Sequence, residues 1–331
     1  MKYKDLLICA GVMCSFTVVL NSCSKNINDI YITTQTPGIN GNNNGNNGNN
    51  GSGGSGTNDN QALLQFSAGI ESQNTKSVYA FPQGRFATIY SYPSGTATVS
   101  SDPTVSMSYS ANSPGILSPV SGTAMYLPNG SWDFYSVATN QKTPSAIPAF
   151  SKGISGALSN GIDYLYWSVS KLTVVPPQLT VPITFSHSCT QITVKLVNGN
   201  GIAIDSLISA TITPTQPTSV MALSTGVIPP ATTLSSTPVN MGVAGKVAHY
   251  TMLPVKSTSN ATATFSILIN GEKTARNYQV SFTMPSAGWV AGDSYVYQAT
   301  VNANEIVFSP VSVRDWIPVD ETNKPLYPTQ I

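Results

Sequence analysis

From Gln61 onward, apolar residues alternate with polar or small ones at a spacing of two, the repeat of a strand with one buried face. Leu64, Phe66, Ala68 and Ile70 form the first such face. Phe86-Ala87-Thr88-Ile89-Tyr90-Ser91-Tyr92 is aromatic and β-branched, and Pro93-Ser94-Gly95 closes it. Val105, Met107 and Tyr109 alternate with serine, and Trp132 to Ala138 follows the turn signal Pro128-Asn129-Gly130. Tyr164 to Val175 is rich in aromatics and valine. Short strands bounded by Gly, Pro, Asn and Ser are therefore predicted throughout. No stretch of helical period exceeds about ten residues.

Pro176-Pro177 interrupts this pattern, since neither residue donates to a ladder, and a domain boundary is expected there. Beyond it, Ile192, Val194 and Leu196 form one face, and Ala263, Phe265, Ile267 and Ile269 another. Asn270-Gly271 suits a tight type I′ hairpin turn returning through Tyr278 and Val280. Tyr295, Tyr297, Ala299 and Val301 follow, and Val311 to Trp316 is the last strong strand. The expected fold is all-β, with one β-sandwich in 61–177 and a second in 178–331.

The residues before the strands read differently. Gly38 to Asn60 is Gly- and Asn-rich with one apolar side chain, Ile39. Such a stretch cannot bury enough surface to offset ordering, so 23–60 is expected to act as a flexible tether. As a coil, the segment from Ser24 to Asn60 has a root-mean-square span of roughly 33 Å. Its glycines do not suit a phosphate cradle, because no strand precedes them and no helix follows. Residues 1–22 read as a signal peptide: Lys2 and Lys4 precede an apolar run from Leu6 to Leu20. As a helix that run would be about 22 Å long, short of the ~30 Å hydrocarbon core. Leu20-Asn21-Ser22-Cys23 resembles the lipobox of bacterial lipoproteins, which implies cleavage between Ser22 and Cys23 and acylation of Cys23. Cys9 and Cys14 would leave with the signal, and Cys189 would remain alone, without a disulfide partner.

Charge narrows the function classes. With 15 basic and 14 acidic residues, net +1, the chain has no basic field for nucleic acid. Charged residues are 9% of the total, so surface polarity rests on Ser, Thr, Asn and Gln. His187 and Cys189 would share a side in a strand and could share a metal, but further ligands are not in view. His249 is the other histidine, and neither lies in a recognisable nucleophile context. Asp133, Asp163, Asp293 and Asp315 offer carboxylates for glycoside chemistry, with turn capping the favoured role. Trp132, Trp167, Trp289 and Trp316 could stack on sugars; core packing is favoured for Trp132, Trp289 and Trp316. No enzyme, cofactor or metal site is expected.

Several segments together carry a resemblance. These are Phe66 with Thr75-Lys76, Gly84 to Tyr90, Tyr126-Leu127-Pro128 with Trp132 to Ser136, Asp163 to Trp167, Val181 to His187 and Ile192 to Leu196. In the second block they are Trp289 to Tyr297 and Val311 to Trp316. Their succession over Leu64 to Trp316 is similar to that of the fimbrillins, the type V pilins of Gram-negative gut and oral anaerobes, including fimbrillin-like lipoproteins. The resemblance implies two tandem transthyretin-like β-sandwich domains, export to the cell outer membrane as a lipoprotein, and a place in surface fimbriae. In shaft subunits of that family a protease removes an N-terminal strand after a basic residue, usually Arg, and a neighbour's donor strand fills the groove. Here no Arg lies between Cys23 and Arg85, and Arg85 falls inside a predicted strand. Lys76 is thus the candidate processing point. Pro318, Pro325 and Pro328 interrupt the segment after Trp316, which suits a donor strand poorly. An anchor, accessory or tip role is favoured over the shaft. Ser206, in Asp205-Ser206-Leu207, matches a short O-glycosylation pattern of these bacteria. The expected partners are other fimbrial subunits by strand addition, the outer membrane through the lipid, and a surface glycan or protein. The alternative is a glycan-binding surface lipoprotein of a polysaccharide-uptake system.

Overall fold

The computed structural model describes residues 60–72, 75–231, 233–257 and 260–319. The described residues are strands and loops with one 3-10 turn at Pro144–Ala146. None of their helices is long and apolar enough to cross a membrane. Cys23, Ser22, the signal and the tether lie outside the described residues.

The first block contains β1 (Gln61–Glu71), β2 (Val78–Ala80), β3 (Phe86–Pro93), β4 (Val105–Ser113), β5 (Ile116–Pro119) and β6 (Met125–Pro128). It continues with β7 (Gly130–Thr139), the short pair β8 (Phe150–Ser151) and β9 (Ile154–Ser155), β10 (Tyr164–Val174) and β11 (Gln178–His187). Seven of these run in the order β1-β11-β10-β7-β3-β4-β5 and return to β1, so the sheet closes on itself. The open sandwich expected here is instead a barrel-like sheet. Closure removes the sheet's edges, and the inward residues of all seven strands share one core. That core includes Leu64, Phe66, Ile89, Phe134, Val181 and Phe185.

The boundary expected at Pro176-Pro177 falls too early. β11 lies beyond it, yet pairs β1 from Leu63 to Ile70 and puts Val181, Ile183 and Phe185 into the first core. The prolines mark where β10 and β11 separate. Those strands pair at Leu165–His187 and Tyr166–Ser186, far from the prolines. Near them β11 turns to β1, and the Pro177 carbonyl accepts the Leu63 amide at 2.9 Å. A missing donor ends one ladder without ending a domain.

The second block contains β12 (Thr190–Asn198), β13 (Ile204–Thr213), β14 (Val239–Asn240), β15 (Gly242–Ala244) and β16 (Val247–Met252). It ends with β17 (Ala261–Ile269), β18 (Arg276–Phe282), β19 (Ser294–Val301), β20 (Ile306–Phe308) and β21 (Ser312–Arg314). β15-β16-β12-β19 form one sheet, with β20 and β21 in succession along the far edge of β19; β14-β13-β17-β18 form the other. The two sheets share one core, in which Ile192, Val194, Phe265, Ile267, Trp289 and Tyr297 are buried. β17 alternates strictly between buried and half-buried positions, as its sequence predicts. Asn270 and Gly271 both adopt positive φ, 53° and 72°, as a type I′ turn requires. The chain returns through Tyr278 and Val280 on β18, as expected, with Ile267–Arg276 the pair nearest the turn.

A third cluster joins the blocks. Tyr90, Tyr92, Tyr135, Val137, Tyr164 and Tyr166 cover the outside of the barrel and pack with Met221, Leu223, Ile228, Leu253 and Trp316. This explains why β7 is buried on both faces. The Tyr166 hydroxyl donates to the Leu223 carbonyl at 2.8 Å. At Gly226, whose φ is +69°, a Cβ would fall 2.2 Å from the Tyr166 ring, so any side chain there is excluded.

His249 on β16 is fully buried, with Nδ1 2.8 Å from the Thr193 hydroxyl. Burial pulls its pKa from the usual 6.5 down to about 3. The imidazole is neutral in the fold but protonates in the unfolded chain at mildly acid pH. Its contribution is present above the unfolded pKa and is lost as pH falls from there toward about 3. The melting temperature should drop between about pH 7 and about pH 4, and drop less steeply in His249→Gln. Equal slopes for the two proteins would assign the acid sensitivity to other groups.

Candidate processing and assembly site

β1 is the element that completes the barrel. Ala62, Leu64, Phe66 and Ala68 point inward and are buried, as the period-two pattern predicts. One edge of β1 pairs β11 in parallel over Leu63–Ile70. Its other edge is divided among β6, β5 and β2. Phe66 is the largest inward side chain, with edge-to-face contacts to Tyr109 at 5.1 Å and Phe134 at 6.4 Å. Removal of β1 would leave a groove with open backbone groups on both sides and a slot shaped by Phe66.

The turn after β1 carries Lys76. Its amide donates to the Ser72 carbonyl at 3.0 Å, and the Ser72 amide donates to Ser77 at 2.8 Å. Lys76 has φ +55°, an unfavourable region for a residue with a Cβ, so the turn is defined by its hydrogen bonds. The Lys76 side chain is 62% exposed and lies 3.7 Å from Glu71. Arg85, the next basic residue, is buried at 5% exposure. Of the two basic residues, Lys76 thus presents its side chain to solvent and Arg85 does not.

The C-terminal part of the described chain meets this turn. The Thr75 amide donates to Asp315 Oδ1 at 3.0 Å. Trp316 stacks on His187, with ring centroids 3.8 Å apart and planes 9° apart. His187 Nδ1 lies 2.9 and 3.0 Å from the two carboxylate oxygens of Asp163, and both side chains are buried. Gln191 grips the backbone of Ile317 through two 2.8 Å hydrogen bonds, and its Oε1 also accepts from Ser294 at 2.8 Å. A cavity of about 100 Å³ remains between the β1–β2 turn and this segment, lined by Ile70, Tyr79, Phe81, Arg85, His187 and Trp316.

The other singled-out residues are dispersed. His187 pairs with Asp163, while Cys189 donates to the Ile162 carbonyl at 3.3 Å; burial pushes its thiol pKa far up. Among the described residues no group of three or more His, Cys, Asp or Glu could hold a metal. Asp133 caps a turn: it accepts from the Lys171 and Gly95 amides and the Ser94 hydroxyl. Burial raises its pKa, but those donors outweigh it and the net shift is downward. Asp293 accepts from the Tyr295 hydroxyl. Ser206 is half-buried on β13, opposite Leu268. Trp132, Trp289 and Trp316 are buried, and Trp167 is partly so. Sequence reasoning missed the Asp163–His187–Trp316 assembly, because its members come from three separate segments.

A fimbrillin-like family model matches residues 73–316. Among solved structures, a candidate cell adhesion protein of Bacteroides uniformis aligns at TM-score 0.59 and 18% identity, covering 77% of this chain and 99% of its own. A second, from Bacteroides ovatus, gives TM-score 0.57 and 15% identity over 77% of this chain and 98% of its own. A third, from Bacteroides fragilis, gives 0.55 and 16% over the same shares. At these identities the likeness is one of fold. No curated protein matches the chain.

Proposed function

Since the chain belongs to the fimbrillin-like family, whose role is fimbrial or adhesive at the cell surface, we propose that it is a lipid-anchored subunit that caps or anchors fimbriae. In this reading the blocks are transthyretin-like modules, Cys23 carries the lipid, and residues 23–60 hold the body off the outer membrane. The protein acts by contact with other subunits and surfaces, without catalysis. Its acidic and histidine side chains support this, since Asp133, Asp163, His187 and His249 each have a structural partner.

The observation that carries the reading is the state of the chain around β1. Arg85 is buried, and Lys76 lies in a hydrogen-bonded turn leaning on Asp315. Cleavage at Lys76 would not by itself release β1, because both ladders and the Phe66 contacts hold it. Uncleaved, β1 remains continuous with the tether, and lipid and body stay one chain.

The test is the mass and N-terminal sequence of protein purified from the native cell surface, with metabolic acyl labelling. An acylated Cys23 continuous with the whole body is expected, and Cys23→Ser should remove the label and move nearly all the protein out of the membrane fraction. A mature N-terminus at Ser77 would instead place the protein in the shaft, and label persisting in Cys23→Ser would refute the lipid site.

A further inference from the structure

The six-stranded sheet of the second block carries a second cavity on the face opposite its core, of about 610 Å³. Its origin is topological. β20 pairs β19 at Ala299–Val301, and β21 pairs the same edge at Ser294–Val296. Between them the ladder is interrupted as Ser309-Pro310-Val311 crosses from one strand to the next. Pro310 has no amide to donate, and only the Ser309 amide reaches back, to the Gln298 carbonyl at 2.9 Å.

Two cations line this cavity. Lys195 stands on β12 beside Gln298, and Arg314 on β21 beside Ser294. Alternation along each strand places both on the non-core face. Partial burial, and then the charge of Arg314, pull the Lys195 pKa below its ordinary value. Among the described residues neither side chain forms an ion pair. Asp315 also borders the cavity, with Oδ1 accepting from the Thr75 amide. Among the described residues that line the cavity, two positive charges and one carboxylate are thus brought together, in a chain with only 9% charged residues. The remaining lining joins amide and hydroxyl groups of Gln298, Ser309 and Ser312 to apolar surface of Val296, Pro310 and Ile317.

The chemistry of this lining matches that of an acidic sugar. The volume suits a small ligand. A guanidinium and an ammonium suit a carboxylate. Amides and hydroxyls meet ring hydroxyls, and the apolar wall meets the C–H face of a pyranose. We propose that this cavity binds an acidic sugar, its carboxylate held between Lys195 and Arg314 and its hydroxyls by Gln298, Ser309 and Ser312. The proposal rests on the adhesive half of the reading above. Its test uses soluble ligand, so its failure leaves assembly into fimbriae untouched.

Calorimetric titration of the full-length chain with 3′-sialyllactose and with trigalacturonate separates an animal-type from a plant- or bacterial-type source, with lactose as the neutral control. At least one acidic sugar should bind, lactose at least about tenfold more weakly, and added salt should weaken the acidic ligand. Lys195→Gln and Arg314→Gln should each reduce affinity about tenfold or more. Their melting temperatures should match the parent, since both side chains lie outside the cores, and either variant suffices if the other misfolds. Binding of neither acidic sugar, equal binding of lactose, or affinities unchanged in a folded variant would each overturn the proposal. A short acidic peptide that binds more tightly than both sugars would do the same.

Discussion

A chain beginning at Ser77, without β1, is expected not to fold as a monomer. Truncation of Phe66 alone, as Phe66→Ala, should cost about 3–5 kcal/mol, because the ring fills a slot walled by Tyr109 and Phe134. Loss of the whole strand also removes Leu64, worth roughly 1.5–3 kcal/mol of burial. It further leaves the β11 edge and the facing edges of β6, β5 and β2 without ladder partners. The sum rivals the entire stability of a typical domain, about 5–15 kcal/mol. A synthetic peptide spanning Gln61 to Ser72, added in trans, should restore β-type circular dichroism and cooperative melting. If the Ser77 chain melts as a soluble monomer at the parent temperature without peptide, β1 is not the closing element.

The second large effect is expected at the buried pair beneath Trp316. His187→Leu removes the donor that faces both Asp163 oxygens and leaves that carboxylate buried. Breaking such a pair costs about 3–5 kcal/mol. Replacing both partners is different, since no charge is then stranded. The double variant His187→Leu with Asp163→Leu should therefore regain at least half of the single-variant loss, as measured by denaturant unfolding. Additive losses in the double variant would mean that Asp163 is stabilised by other groups and that the pair carries no coupling.

What the sequence made legible follows the range of the physics involved. The strands around Phe66, Ile89, Phe134 and Phe265 were readable because period-two burial is local. The left-handed turn at Asn270-Gly271 was readable for the same reason. Barrel closure was not, because it depends on β1 finding β11, more than a hundred residues away, in parallel. The misplaced boundary has the same origin: Pro176-Pro177 records lost donors but not the partner the next strand will take. At the candidate site, Lys76 was legible as a basic residue between strands. Its contact with Asp315, and the stacking of Trp316 on His187, were not, since nothing local in either segment encodes the other.

The double-edged pairing of β1 has a mechanical side. A load that arrives through residue 60 is directed along the strand, while the ladders on both of its edges stand across that direction. The bonds from Leu63 to Ile70 are then strained together in shear, rather than broken one after another as when a hairpin is peeled open. Side chains such as Phe66 must also be dragged sideways out of their slots before the strand can slide. In the proposed lipid-anchored form, residue 60 would thus enter the body at a rivet, where load is carried without opening the barrel.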